Sequence, residues 1–284
     1  MKENYIFTIT TGRSGQETLH KIIETYSTNC ISEFEAPNIK PYLPLFLGDL
    51  EKKFRRKFFE TNELLGRGKV LNCYESEQYE YIDLIAKKKI KKIKKKMVFN
   101  NANYYFDISK FYARGLYKGI NNILDSFSIV FLVRDPLFNM KSFMNRDKDF
   151  LKDNSLPSAN SNLLKMDCSN FLKEEYYLWA WAEIYLRYKS ISKLKKINKC
   201  IVIKTEDLDY PKKIQSFLSR LNITYKEIKP IKKANTNYEI GNKKTVINKL
   251  DLKILENFML KLQTNDEDLI KALESSLEKN KSLL

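Results

Sequence analysis

The chain has 284 residues, 43% of them hydrophobic and 13% aromatic, enough for a sizeable core, while only 8 Gly and 7 Pro exclude a collagen-like or low-complexity chain. Its 51 Lys and Arg against 35 Asp and Glu leave a net charge of +16, a field that draws anions (nucleotide, nucleic acid, acidic glycan, anionic lipid) without choosing among them. The even spread of Lys, Asn and Ile is equally what a codon bias produces, and the scattered Cys30, Cys73, Cys168 and Cys200 form no C-x-x-C pair, which speaks against zinc and redox motifs.

The predicted elements alternate. Residues 5–11 (YIFTITT) form the first strand and residues 15–26 the first helix. Residues 29–35 form a second strand, closed by Ala36-Pro37. A helical insertion covers about 40–100. Within it 42–59 reads as helix, and 77–97 carries an apolar stripe at Ile82, Ile85, Ala86, Ile90, Ile93 and Met97, close to the helical period. Residues 104–108 form the third strand, followed by a helix to about 124. Residues 128–133 (SIVFLV) are almost continuously apolar, as in a strand buried on both faces. Helices follow, interrupted by a loop near 154–162. Residues 200–204 (CIVIK) form the fifth strand, after which Asp209 offers a helix cap and Pro211 suits a first turn. The region from about 235 to 284 is mostly helical and charged.

Strands alternating with helices predict an α/β fold in a single domain over residues 1–284, with a central parallel β-sheet flanked by helices and a helical C-terminal part. No apolar run approaches the roughly 20 residues that span a bilayer. The first strand starts almost at once, with no charged-then-apolar leader. With free thiols, the expected location is the cytoplasm. In parallel sheets, ligands bind at the C-terminal strand ends, so chemistry is sought just after each strand.

After strand one come Thr11, Gly12, Arg13, Ser14, Gly15, Gln16, Glu17, Thr18 and Leu19. A glycine-bearing turn into a helix aims backbone amides and the helix dipole at one point, and Arg13 adds a charge-assisted donor. The lysine followed by Ser or Thr that ends a nucleotide-triphosphatase loop is absent, so this loop suits an anion without a metal. The plainer alternative is a tight turn with Ser14 as helix cap. After strand four come Arg134, Asp135, Pro136 and, eight residues beyond the arginine, Ser142. An arginine at a strand end and a hydroxyl on the next helix can meet on one phosphate; an Arg-Asp pair opening a helix is the plainer alternative.

Together these two segments resemble the motifs of the sulfotransferase superfamily that uses 3'-phosphoadenosine-5'-phosphosulfate (PAPS). Its first motif, a strand, then [K/R]-S-G-T-x-x-L, then a helix, is matched by Arg13-Ser14-Gly15 and Leu19. Its second, a strand, then R-[D/N]-P with a serine eight residues after the arginine, is matched by Arg134-Asp135-Pro136 and Ser142. Trp179, Trp181, Glu183 and Arg187 on one helix, and Thr205-Glu206-Asp207-Leu208 after strand five, are further echoes. The resemblance covers about residues 4–222 and leaves 40–100 unmatched. It implies a P-loop-like sulfotransferase architecture and sulfuryl transfer from PAPS, without a metal, to a hydroxyl or amine of a glycan, glycolipid or small metabolite. It further implies that Gly12, Arg13, Ser14, Gly15, Gln16, Glu17 and Thr18 cradle the 5'-phosphosulfate. Arg134 and Ser142 would hold the 3'-phosphate, with Lys243 and Lys244 beside Gly241 standing for a C-terminal loop. Gln16 and Glu17 replace the family's threonine, and Glu17 sets a carboxylate beside an anion site.

Transfer needs a base for the acceptor proton. The one histidine, His20, lies inside the first helix and reads as a packing or surface residue. Glu35, at the end of strand two, is the first choice, because several branches of the family place a glutamate base there. Glu33 is the second, two residues back and so on the same strand face. Asp107 is the third. Arg13 would stabilise the charge that develops on the leaving phosphate, and Lys110 would neutralise charge on the transferring group. In residues 87–96, Lys87, Lys88, Lys89, Lys91, Lys92, Lys94, Lys95 and Lys96 surround Ile90 and Ile93. This run suits a peripheral membrane or polyanion contact, or a solvated helix face. Trp179 and Trp181 read as core or pocket wall. Two other functions remain open: a P-loop kinase or nucleotide hydrolase, and a non-catalytic basic module binding glycan or nucleic acid.

Overall fold

The computed structural model describes residues 3–37, 44–58, 61–145, 159–229 and 246–282. In chain order the elements are β1 (Asn4–Ile9), α1 (Gln16–Tyr26), β2 (Cys30–Phe34), α2 (Leu45–Phe58), α3 (Thr61–Leu65), α4 (Lys69–Glu75), α5 (Tyr79–Phe99) and β3 (Tyr104–Ile108). They continue with α6 (Leu116–Ile123), β4 (Phe127–Val133), α7 (Pro136–Met144), α8 (Lys173–Ser192), β5 (Ile197–Lys204), α9 (Pro211–Arg220), α10 (Lys249–Lys261) and α11 (Glu267–Lys281). Every strand pairing is parallel, and the sheet order is β2-β3-β1-β4-β5. The expected α/β architecture, a central parallel sheet flanked by helices with a helical C-terminal part, is the one observed. Among the described residues no helix is long and apolar enough to cross a membrane.

The alternation of side chains across the strands builds the two layers. Tyr5, Phe7, Tyr105, Ile129 and Phe131 face a layer in which α5 buries Ile82, Ile85, Ala86, Ile90, Ile93 and Met97. Ile6, Phe106, Val130, Leu132, Ile201 and Ile203 face the other way, onto Leu19, Ile22 and Ile23 of α1 and Phe217 and Leu218 of α9. A third cluster seats α10 and α11 on α7 and α8 through Leu137, Trp179, Leu255, Phe258, Leu269 and Leu273.

Two expected caps are not used. The N-cap of α1 is Gly15, in left-handed conformation, rather than Ser14, whose hydroxyl turns back to the loop. The N-cap of α9 is Tyr210 rather than Asp209, because Thr205–Asp209 closes into its own 3₁₀ turn; Pro211 does open the helix.

The tryptophan-rich helix is structural. Arg187 sits 2.6 Å from Glu183 and donates to the Ala113 carbonyl and to Asn162 Oδ1. Glu183 accepts the amides of Leu163 and Leu164, and Trp179 donates to the Leu164 carbonyl. Buried backbone groups need such partners, so α8 fixes the segment that precedes it. Trp181 donates to the Arg134 carbonyl at 2.8 Å and so reaches the site described next.

Candidate functional site

The sheet order dictates where a ligand fits. From β1 the chain moves outward to β2 and returns to β3, then crosses β1 to β4 and β5. Connections therefore leave β1 and β4 in opposite directions, which opens a crevice at their C-terminal ends. β1 and β4 pair as far as Ile9 opposite Phe131. Arg13 follows the first strand and Arg134 follows the second, so two segments distant in sequence meet at this crevice.

The loop after β1 takes left-handed backbone at Gly12 (φ 89°), Arg13 (φ 55°) and Gly15 (φ 85°). A side chain at Gly15 would also lie 2.9 Å from Leu208 Cδ1. Gly15→Ala is accordingly expected to lower stability by about 1–2 kcal/mol from left-handed strain alone, measured by chemical denaturation; an unchanged midpoint would show that the turn needs no glycine.

Hydrogen bonds tie the loop to its neighbours. Asn139 Nδ2 donates to the Gly12 carbonyl at 2.8 Å and reaches Ser14 Oγ at 3.2 Å. Thr205 donates to the Ser14 carbonyl, fastening the end of β5. Arg134 Nη1 donates to the Arg13 carbonyl at 3.0 Å, and Arg13 Nε donates to Ser142 Oγ at 3.3 Å. The two sequence motifs are in direct contact. The N-cap residue Gly15 offers no side chain to cap α1, whose N-terminus, the positive end of its dipole, faces the crevice.

A cleft of about 430 Å³ opens here, lined by Arg13, Gly15, Gln16, Glu17, Thr18 and Phe34, by Arg134, Asp135 and Phe138, by Thr205, Glu206, Leu208 and Asp209, and by Lys279 of α11. Glu17 also lies 3.5 Å from Lys21, one turn along its helix. Burial lowers the pKa of the Arg134 guanidinium, against the pull of Asp135 and Glu206. Burial raises the Asp135 carboxyl, while Lys279 and the Phe138 amide work the other way. Gln16 Nε2 is buried at this wall with no hydrogen-bond acceptor. A buried amide nitrogen without an acceptor calls for an explanation, and a ligand oxygen would supply one.

The other expected residues are distributed differently. Ser14 and Ser142 are buried behind the wall, Ser14 within the loop's own network and Ser142 on Arg13. Lys110 lies against the loop, its ammonium 4.9 Å from the centre of the Phe111 ring. Glu33 pairs with Lys96 and accepts a hydrogen bond from Tyr105. Asp107 is 1% exposed and 2.6 Å from Lys89. Burial raises its carboxyl and Lys89 opposes that shift. Glu35 lies just past β2 with φ 45°, so the alternation expected to put Glu33 and Glu35 on one face stops at Phe34. Its amide donates to the Ile108 carbonyl, which sets it at the C-terminal edge of the sheet. His20 Nδ1 is 2.9 Å from Ser32 Oγ, between α1 and β2. Lys243 and Lys244 lie outside the described residues.

Asn139, Phe138, Phe34 and Lys279 were not singled out from the sequence. Asn139 was within reach of such reasoning: it stands one turn before Ser142 and shares its helix face. The chain matches no protein-family model and no curated protein.

Proposed function

We infer that the chain is a sulfotransferase that moves a sulfuryl group from PAPS to a hydroxyl or amine of a carbohydrate, glycolipid or small metabolite. The observation that carries this reading is the meeting of Arg13 and Arg134, with Ser142, at the crevice between β1 and β4. Two cations and a helix N-terminus suit a ligand with phosphates at both ends of a nucleoside. The cleft volume of about 430 Å³ lies within the usual range for small-molecule sites, about 300–1,000 Å³. The unpartnered Gln16 amide fits a phosphate or sulfate oxygen.

In this reading Gly12 to Thr18 hold the phosphosulfate and Arg134 holds the 3'-phosphate, while Ser142, behind the wall, positions Arg13. Glu35 takes the acceptor proton. The acceptor oxygen or nitrogen bonds to sulfur as the sulfur–oxygen bond to the 5'-phosphate breaks, and adenosine 3',5'-bisphosphate leaves. Arg13 and Lys110 stabilise the charge that develops.

Arg134→Ala is expected to weaken adenosine 3',5'-bisphosphate binding by roughly ten- to a hundredfold, the worth of a charged hydrogen bond. Adenosine 5'-monophosphate, lacking the 3'-phosphate, should bind the variant and the parent alike. Calorimetry without magnesium measures both. Equal losses for the two ligands would mean that Arg134 serves the loop rather than the 3'-phosphate. Binding that required magnesium would point to a kinase, and binding of PAPS without turnover to a non-catalytic module.

A further inference from the structure

Six of the eight lysines of α5 fall into two groups. Lys89, Lys94 and Lys96 bond to Asp107, Glu3 and Glu33 and hold the helix to the sheet. Lys91, Lys92 and Lys95 are exposed and, among the described residues, pair with no carboxylate. Their three- and four-residue spacing puts them on one helix face with Leu84, Val98 and Phe99. These apolar residues are far from hidden: Leu84 is 47% exposed, Val98 78% and Phe99 89%. The face therefore runs as a cationic stripe about 22 Å long from Leu84 to Phe99, with a pair of exposed apolar side chains at one end.

We propose that this face of α5 docks on an anionic lipid surface, with Lys91, Lys92 and Lys95 at the headgroups and Val98 and Phe99 entering the acyl boundary. The charge of the stripe complements an anionic leaflet, and its apolar end separates lipid from the other polyanions. Nucleic acid and acidic glycans reward the lysines but give a phenylalanine that is 89% exposed nothing to enter, whereas a membrane surface takes lysines at its anionic headgroups and an apolar side chain just beneath them. The placement also leaves the cleft open. Phe99 precedes β3, at the N-terminal edge of the sheet, while the cleft lies at the C-terminal strand ends. Docking and nucleotide binding are thus independent, and the inference does not rest on the proposed reaction.

Flotation of the full chain with vesicles tests this. Vesicles of equal phosphatidylcholine and phosphatidylserine should carry the protein, and pure phosphatidylcholine vesicles should not. Lys91→Gln/Lys92→Gln/Lys95→Gln should lower partitioning roughly a hundredfold, each lysine near an anionic surface being worth about fivefold. Val98→Ser/Phe99→Ser should lower it at least tenfold, while circular dichroism and the urea midpoint stay at the parent's values, which certifies folding. Equal recovery on both vesicle types would overturn the proposal. So would loss with the lysine variant alone while Val98→Ser/Phe99→Ser binds fully; that pattern fits a soluble polyanion such as nucleic acid.

Discussion

Glu35→Gln is expected to lower turnover of PAPS by about 10²–10⁴, the usual worth of general base catalysis, with bisphosphate affinity close to that of the parent. The substitution keeps size and hydrogen-bonding capacity but cannot take a proton. Three carboxylates compete for the role. Asp107 is buried inside the sheet layer against Lys89, and Glu33 lies back along β2 beside Lys96 and Tyr105. Glu35 stands one residue beyond Phe34, which lines the cleft. Glu33→Gln should therefore act mainly on stability, and His20→Asn, between α1 and Ser32, should leave the rate near that of the parent. The measurement is product formation from labelled PAPS with an acceptor, or slow PAPS hydrolysis. A Glu35→Gln protein with nearly full activity beside an inactive Glu33→Gln or Asp107→Asn would assign the proton to another carboxylate. If only His20→Asn were inactive, no carboxylate would be the base.

Lys89→Met is expected to cost about 3–5 kcal/mol of unfolding free energy near neutral pH, the loss that follows removal of one partner from a buried ion pair. Lys89 and Asp107 are 6% and 1% exposed, and Lys89 also donates to the Leu64 carbonyl at 3.0 Å. Without its partner, Asp107 must fold either charged in an apolar layer or protonated. Burial already raises its pKa with Lys89 present, and removing the cation raises it further. A carboxyl whose folded pKa exceeds its unfolded value keeps its stability below the unfolded pKa, about 3.9, and loses it as pH rises through the folded one. The deficit of Lys89→Met should therefore shrink on acidification, and Lys89→Met/Asp107→Asn should recover much of it. Urea unfolding across pH checks this. A loss below about 1 kcal/mol, as for an exposed pair, or one independent of pH, would contradict it.

Much of this arrangement was legible because parallel strands are buried on both faces. β3 was bounded correctly, and β4 was short by Phe127 alone. β5 was read from Cys200, three residues late. It is an edge strand whose exposed residues include Asn198 and Lys204, so its first half lacks an apolar run. β1 was read through Thr11, yet pairing stops at Ile9: Thr10 and Thr11 are buried but already belong to the turn, and burial is all that a sequence pattern registers. The two turns that carry Arg13 and Arg134 were visible because glycine, arginine and proline mark strand-to-helix turns. The partners of Glu33 and Asp107 were not. Lys96 and Lys89 come from a helix distant in sequence, in a run whose composition suggested a polyanion or membrane contact or a solvated face, not ion pairs with the sheet. Lys89 shares the buried side of α5 with Ile82, Ile85, Ala86, Ile90 and Ile93, and that position was the one clue to its burial.

The strand order also bears on how the chain assembles during synthesis. β1 occupies the middle of the sheet, but it does not pair with β2, the next strand to be made. Its first partner is β3, where Asn4 meets Tyr104, a hundred residues later. At translation rates of about 5–20 residues per second, the apolar segment Tyr5 to Ile9 waits roughly 5–20 s for a neighbour. Pairings so distant in sequence form slowly. The nascent chain thus carries the strand that leads into the Arg13 turn without a sheet partner until β3 has been made.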